Sequence, residues 1–325
     1  MGHDLISRRL ALTAGAAATV CWLGPRSGRA QTASVDLNHE TPSRLYGRRQ
    51  QPYTPPAALA AVAELYRRMT VPIKVNDAGP FAFVVDTGAN QSVISQELAE
   101  KLKLVIGPAS PLNGVAGVQM AATTTARLEV GKQSLPTQSL SILPAAGIGG
   151  DGMLGLDAIG DQALTLDFAG KNLRIESQRS NWRDPDAVWV KARRRDGQLS
   201  LVDAHLGGVP LTAFIDSGAE NTIGNMAQRQ LALARNPTAR WTMTPIVSST
   251  GQTIMAEIAD LPSLRVGGMG LPNWPVAFAD LHTFAMWDMV KQPAILIGVD
   301  ILSRFEYVCL DFARSEVRFR LPQQV

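Results

Sequence analysis

The sequence predicts an all-β protein made of two similar units related by a pseudo-two-fold axis, with short helices. Three observations carry that prediction. First, 46% of the 325 residues are hydrophobic but only 6% are aromatic, and there are 28 glycines and 20 prolines. That composition suits a turn-rich β chain better than a helical bundle. Second, three sequence blocks recur in the same order, about 130 to 144 residues apart. Similarity in one block can arise by chance, but ordered similarity in three marks a duplication. Third, short apolar runs alternate with Gly- and Asp-bearing turns at strand spacing. The length accommodates one large domain or two ordinary ones, each with a real core.

Residues 1–30 read as an export signal. Ser7-Arg8-Arg9-Leu10 precedes an uncharged, mildly apolar stretch over 11–23, and Gly28-Arg29-Ala30 supplies a small-residue cleavage site. The paired arginines and weak hydrophobicity resemble a twin-arginine signal, which predicts a periplasmic or secreted protein. Val20 is too bulky for a lipobox ahead of Cys21. Cleavage near Ala30 removes Cys21 and leaves Cys309, so no intramolecular disulfide is available even in an oxidising compartment. Cys309 sits in an apolar run and reads as a buried, inert thiol.

The formal charge of +3 is also located here, because Arg8, Arg9, Arg26 and Arg29 stand against Asp4. The body beyond residue 30 is neutral, which gives no electrostatic reason to expect nucleic acid as a partner. After the signal no apolar run reaches the ~18 residues of a membrane span. Residues 31–69 read as a linker or pro-segment, with a short helix fitting 57–68.

The first unit is placed at 70–178 and the second at 187–325, joined by a polar segment at 179–186. Phe83-Val84-Val85-Asp86-Thr87-Gly88-Ala89 is echoed by Ala213-Phe214-Ile215-Asp216-Ser217-Gly218-Ala219. Ser92-Val93 matches Thr222-Ile223. Ser95 matches Asn225, and both are good N-caps for helices predicted at 96–102 and 226–233. Met153-Leu154-Gly155-Leu156-Asp157 is echoed by Leu296-Ile297-Gly298-Val299-Asp300, and Leu166-Asp167-Phe168-Ala169 by Leu310-Asp311-Phe312-Ala313.

If the units pack about a pseudo-two-fold axis, Asp86 and Asp216 meet there. Two carboxylates at that range cannot both ionise, so one holds a proton. The ionised one can take a proton from water while the protonated one polarises a carbonyl, which is general acid–base hydrolysis without a covalent intermediate. Thr87 and Ser217 supply hydroxyls to lock the loops, and Gly88 and Gly218 allow close backbone approach.

With these residues in place, the chain over 70–325 resembles the aspartic proteases, in their retropepsin-like branch. Asp86-Thr87-Gly88-Ala89 is close to the retroviral-type motif, and Leu154-Gly155 and Ile297-Gly298 resemble the hydrophobic-hydrophobic-Gly element that supports it. The resemblance implies a fused pair of retropepsin-like or pepsin-like β-barrel lobes. It implies Asp86 and Asp216 as the catalytic dyad, with Thr87, Gly88, Ala89, Ser217, Gly218, Ala219, Gly155 and Gly298 as loop support. It also implies an endopeptidase acting on extended polypeptides as a monomer, with no cofactor or metal. The family's flap positions fall at Asn113-Gly114-Val115-Ala116-Gly117 and Ser248-Ser249-Thr250-Gly251-Gln252, which puts Gly114, Val115, Gly117, Thr250 and Gly251 on the substrate. Neither flap carries the pepsin tyrosine.

Competing readings are weaker. A non-catalytic peptide-binding module on the same fold needs neither aspartate. Asp157 and Asp300 read as caps of the helices that follow them, and Asp167 and Asp311 as hairpin residues. Gly147-Ile148-Gly149-Gly150-Asp151-Gly152 fits a dinucleotide fingerprint on paper, but no crossover helix fits before the next strand. The histidines form no i,i+4 pair for a metal. The basic run at 191–195 reads as an exposed turn face, and the apolar segment at 283–289 as core packing.

Overall fold

In the computed structural model of the chain, the described residues are 20–22 and 70–322, apart from 132, 177–183, 196, 202, 207, 236, 238, 240, 262, 268, 272 and 273. Strand Thr70–Val75 opens the first lobe, with Val71, Ile73 and Val75 buried and the residues between them facing outward. That period of two commits one face to the core. Its partner, Ala78–Val85, becomes wholly buried at Phe83-Val84-Val85 as it nears the centre of the molecule.

Strand Val93–Ser95 follows, and helix Gln96–Lys101 starts where the Ser95 hydroxyl accepts from Leu98 N at 3.0 Å. Next comes a long hairpin, Gly107–Gly114 with Gly117–Ala126. Gln138–Leu143 then runs parallel to Val93–Ser95. Gly152–Leu154 slots between two earlier strands, parallel to Ala78–Val85 and antiparallel to Val93–Ser95.

The second lobe repeats this scheme. Thr212–Ile215 pairs in parallel with Ala294–Ile297, and Ile223–Gly224 pairs in parallel with Trp274–Phe278. Helix Met226–Arg235 starts at Asn225, whose side-chain oxygen accepts from Gln228 N at 2.8 Å. The matching long hairpin is Thr242–Ser248 with Thr253–Leu261. The short strand Val20–Trp22, within the segment read as an export signal, lies antiparallel to Thr242–Ser248.

The lobes are joined by a shared sheet. Hairpin Ala163–Asp167 with Asn172–Glu176 meets hairpin Tyr307–Asp311 with Glu316–Arg320, and Thr165 stands opposite Cys309 at the centre of the junction. Leu164, Leu166, Val308 and Leu310 are buried there in the same cluster as Val85 and Ile215. Each such side chain contributes about 1.5–3 kcal/mol of burial. The core therefore runs through both lobes and fixes the two aspartate-bearing strands relative to one another. The chain is thus an all-β protein of two similarly built lobes with short helices.

Several details complete this picture. Asp167 accepts from Gly170 N at 2.7 Å and Asp311 from Arg314 N at 3.0 Å, both as hairpin residues. Cys309 is buried, and that burial pushes its thiol above the usual range. The basic run at 191–195 is not a turn: it lies in strand Ala187–Arg195, where pairing with Gln198–Leu201 and the ion pair of Arg194 with Asp161 keep it extended. Of the inter-lobe joint, Asp184 accepts from the Tyr307 hydroxyl at 2.7 Å and from Arg320 at 2.8 Å. The helix expected at 57–68 lies outside the described residues. Among the described residues no helix is long and apolar enough to cross a membrane.

Candidate active site

Each aspartate leaves the end of a buried strand that is held by a parallel neighbour. Asp86 N donates to Leu154 O and Asp216 N donates to Ile297 O, both at 3.0 Å. The loops then fold back on their own carboxylates. Asp86 Oδ1 accepts from Gly88 N at 2.8 Å and Ala89 N at 3.1 Å, and Asp216 Oδ1 accepts from Gly218 N at 2.9 Å. Both side chains are almost wholly buried, at 0% and 2% exposure.

The loops meet across the pseudo-two-fold axis through a reciprocal lattice of hydrogen bonds. The Thr87 hydroxyl donates to Ile215 O at 2.9 Å and accepts from Ser217 N at 3.0 Å. The Ser217 hydroxyl donates to Val85 O at 2.9 Å and accepts from Thr87 N at 3.1 Å. Each hydroxyl thus satisfies two buried backbone groups of the opposite lobe, which would otherwise cost ~1–3 kcal/mol apiece.

The glycines are needed for a specific reason. A Cβ on Gly88 would stand 2.6 Å from Asp216 Oδ2, and a Cβ on Gly218 would overlap the Asp86 carboxyl. Each loop backs directly onto the other lobe's carboxylate. The two carboxyls are within hydrogen-bonding reach, and the Asp216 carboxyl is pushed well above the usual range by burial first and by the Asp86 charge second.

A second layer holds these loops from behind. A Cβ on Gly155 would stand 2.8 Å from Gln91 O, and one on Gly298 would stand 2.7 Å from Asn221 O. Gly155 N donates to the Ser92 hydroxyl, and Gly298 N donates to the Thr222 hydroxyl, both at 3.0 Å. Those hydroxyls in turn donate to Asp157 Oδ1 and Asp300 Oδ1, both at 2.7 Å.

Asp157 and Asp300 are therefore not the helix caps expected from the sequence. Gly155 and Gly298 occupy the N-cap positions, and the aspartates sit in the first turn with their carboxylates reaching back to the active-site loops. Trp274 Nε1 adds a bond to Asp300 Oδ2 at 2.9 Å, with no counterpart among the repeated motifs. The sequence signal for these two residues is their recurrence next to the repeated glycine. What they hold lies 65 and 78 residues away.

Burial raises the Asp157 and Asp300 carboxyls against the lowering effect of their hydrogen bonds. A carboxyl raised in the folded chain stays protonated where the unfolded chain has ionised. The stability such groups confer is complete below their unfolded value near 3.8 and is lost as pH rises through the raised value. Asp300→Asn is expected to flatten the fall in the denaturation midpoint between pH 4 and pH 7. An unchanged slope in that titration would count against the assignment.

The two long hairpins, at the positions expected for the flaps, meet at their tips, where Gln252 bonds Ala116 N and Gly117 O. Gly117 (φ +129°) and Gly251 (φ +80°) take backbone conformations at their tips that side chains disfavour. Gly114 and Val115 lie at the first tip and Thr250 at the second, with Val115 fully buried. A small pocket beside the dyad is walled by Val93, Leu112, Leu143 and Met153 and capped by Ser249 and Thr250. The apolar segment at 283–289 contributes buried Phe284, Trp287 and Met289 to a cluster that also contains Val115. Among the described residues, no group of three or more His, Cys, Asp or Glu side chains gathers to hold a metal ion.

Comparison with protein families gives one match in each lobe. Residues 71–161 match the family described as "gag-polyprotein putative aspartyl protease". Residues 202–301 match the family described as "Aspartyl protease". A comparison with curated proteins finds no match.

Proposed function

The chain carries two retropepsin-like aspartyl protease units in tandem, and from that premise we propose that it is an aspartic endopeptidase in which Asp86 and Asp216 activate one water against a peptide bond. The observation that carries this reading is the buried carboxyl pair, with Asp216 raised by burial and by its neighbour's charge. In the resting pair the shared proton belongs on Asp216, and Asp86 is the base. A water between them transfers a proton to Asp86 as its oxygen attacks the carbonyl carbon. Asp216 gives its proton to the carbonyl oxygen. On collapse, Asp86 returns its proton to the departing amine nitrogen and a hydroxyl proton returns to Asp216. The C–N bond is broken, and the dyad ends as it began.

The substrate on this reading is an extended polypeptide laid beneath the flaps. The pair titrates as a unit, so activity is bell-shaped in pH with a mildly acidic optimum. The test is digestion of a diverse peptide library across acidic to neutral pH, with and without an aspartic-protease transition-state mimic. Cleavage in mild acid that the mimic blocks and chelators do not affect is the expected result. Uncut peptides throughout would end the proposal.

We place the enzyme in the periplasm or outside the cell, exported as a monomer by residues 1–30. Arg8→Lys with Arg9→Lys is expected to retain precursor in the cytoplasm, and normal export of that double variant would refute twin-arginine transport.

A further inference from the structure

We propose that Gln252, from the tip of the second flap, and His282, from the body of the second lobe, are positioning residues that hold the first flap in place, so that release of this clasp opens the cleft. This rests on the proteolytic reading of the dyad. Gln252 clasps both sides of the flap's turn: its Oε1 accepts from Ala116 N at 3.0 Å, and its Nε2 donates to Gly117 O at 3.2 Å. His282 N donates to Val115 O at 2.8 Å, and His282 Nε2 lies 3.2 Å from Asn113 Oδ1. Gln119 Nε2 donates to Thr250 O at 3.1 Å.

Between these bonds, the Val115 side chain is seated among Phe214, Ile223, Phe284 and Trp287 of the second lobe. Gly114 is part of the same fit, because a Cβ there would overlap the Gln252 amide and stand 2.6 Å from Thr250 Oγ1. The second flap touches the first lobe differently. Its tip brings Ser249 O against Gly147, where a Cβ would overlap it, and its own tip carries Ser249 and Thr250 in place of an apolar anchor.

The clasp is made in the peptide-free chain, so a peptide entering beneath the first flap must displace Val115 from its seat. Loosening the clasp therefore eases entry and leaves the chemistry at the dyad unchanged.

The experiment uses the full chain, with Gln252→Met and His282→Leu singly and together, and His282→Gln as the variant that keeps a side-chain donor and acceptor. In the absence of substrate, amide exchange over 113–118 is expected to rise together by about tenfold or more in the double variant, as several hydrogen bonds are lost at once. His282→Gln is expected to exchange close to the unmodified chain. On a cleaved peptide, KM is expected to fall several-fold with kcat nearly constant. Faster exchange confined to Ala116, or a KM that rises or stays constant, would overturn the proposal. If no peptide is cut, exchange alone decides the clasp, so its failure and failure of the proteolytic reading are distinguishable.

Discussion

Asp216→Asn is expected to lower peptide cleavage by about 10²- to 10⁴-fold while leaving the fold intact, because loss of a positioned acid or base costs that much. The substitution keeps the shape of the side chain and its acceptor oxygen for Gly218 N. What it removes is the proton that burial and the Asp86 charge hold on this carboxyl. Asp86→Asn removes the base and is expected to do the same. The two groups share one proton, so the double variant should be barely slower than either single one. Rates measured on one peptide for all three variants, with circular dichroism as the fold check, decide the matter. Undiminished cleavage in either single variant would mean that another group does the chemistry.

Gly218→Ala is expected to be nearly as damaging, although it adds one methyl group and touches no ionisable atom. The added Cβ would overlap the Asp86 carboxyl, and neither partner has room to yield. Asp86 is pinned by Gly88 N and Ala89 N. The Gly218 loop is pinned by the Thr87 and Ser217 lattice. Displacing a catalytic group by about 1 Å typically costs 10²-fold. A loss of about that size in kcat/KM is the expected measurement. Near-normal kcat/KM would show that the loops do not approach as closely as the glycine implies.

Features that depend on local chemistry were legible in the sequence. Val71, Ile73 and Val75 alternate because a strand with one buried face must alternate, and Ser95 and Asn225 cap helices with their own side chains. Duplication added long-range information, because a residue that recurs at equivalent positions is brought to the same axis twice. Asp157 and Asp300 look like caps in the sequence because it displays only the helix beside them, while their partners Ser92 and Thr222 are far along the chain. The 191–195 run looks like a turn in the sequence because charge says nothing about hydrogen-bond partners, and its strand is held by pairing with Glu316–Arg320 and Gln198–Leu201.

Repetition and residue size are properties of the chain alone, so two β units, one aspartate on each and the glycines of the repeated loops are readable from the residues. How the two halves differ depends on the packing of one lobe against the other. Val115 from the first flap is buried in the second lobe, and Gln252 and His282 reach across from that lobe to hold it. Those contacts join residues more than 130 positions apart that share no motif. They exist because the shared sheet fixes one lobe against the other, and no spacing along the chain encodes that distance.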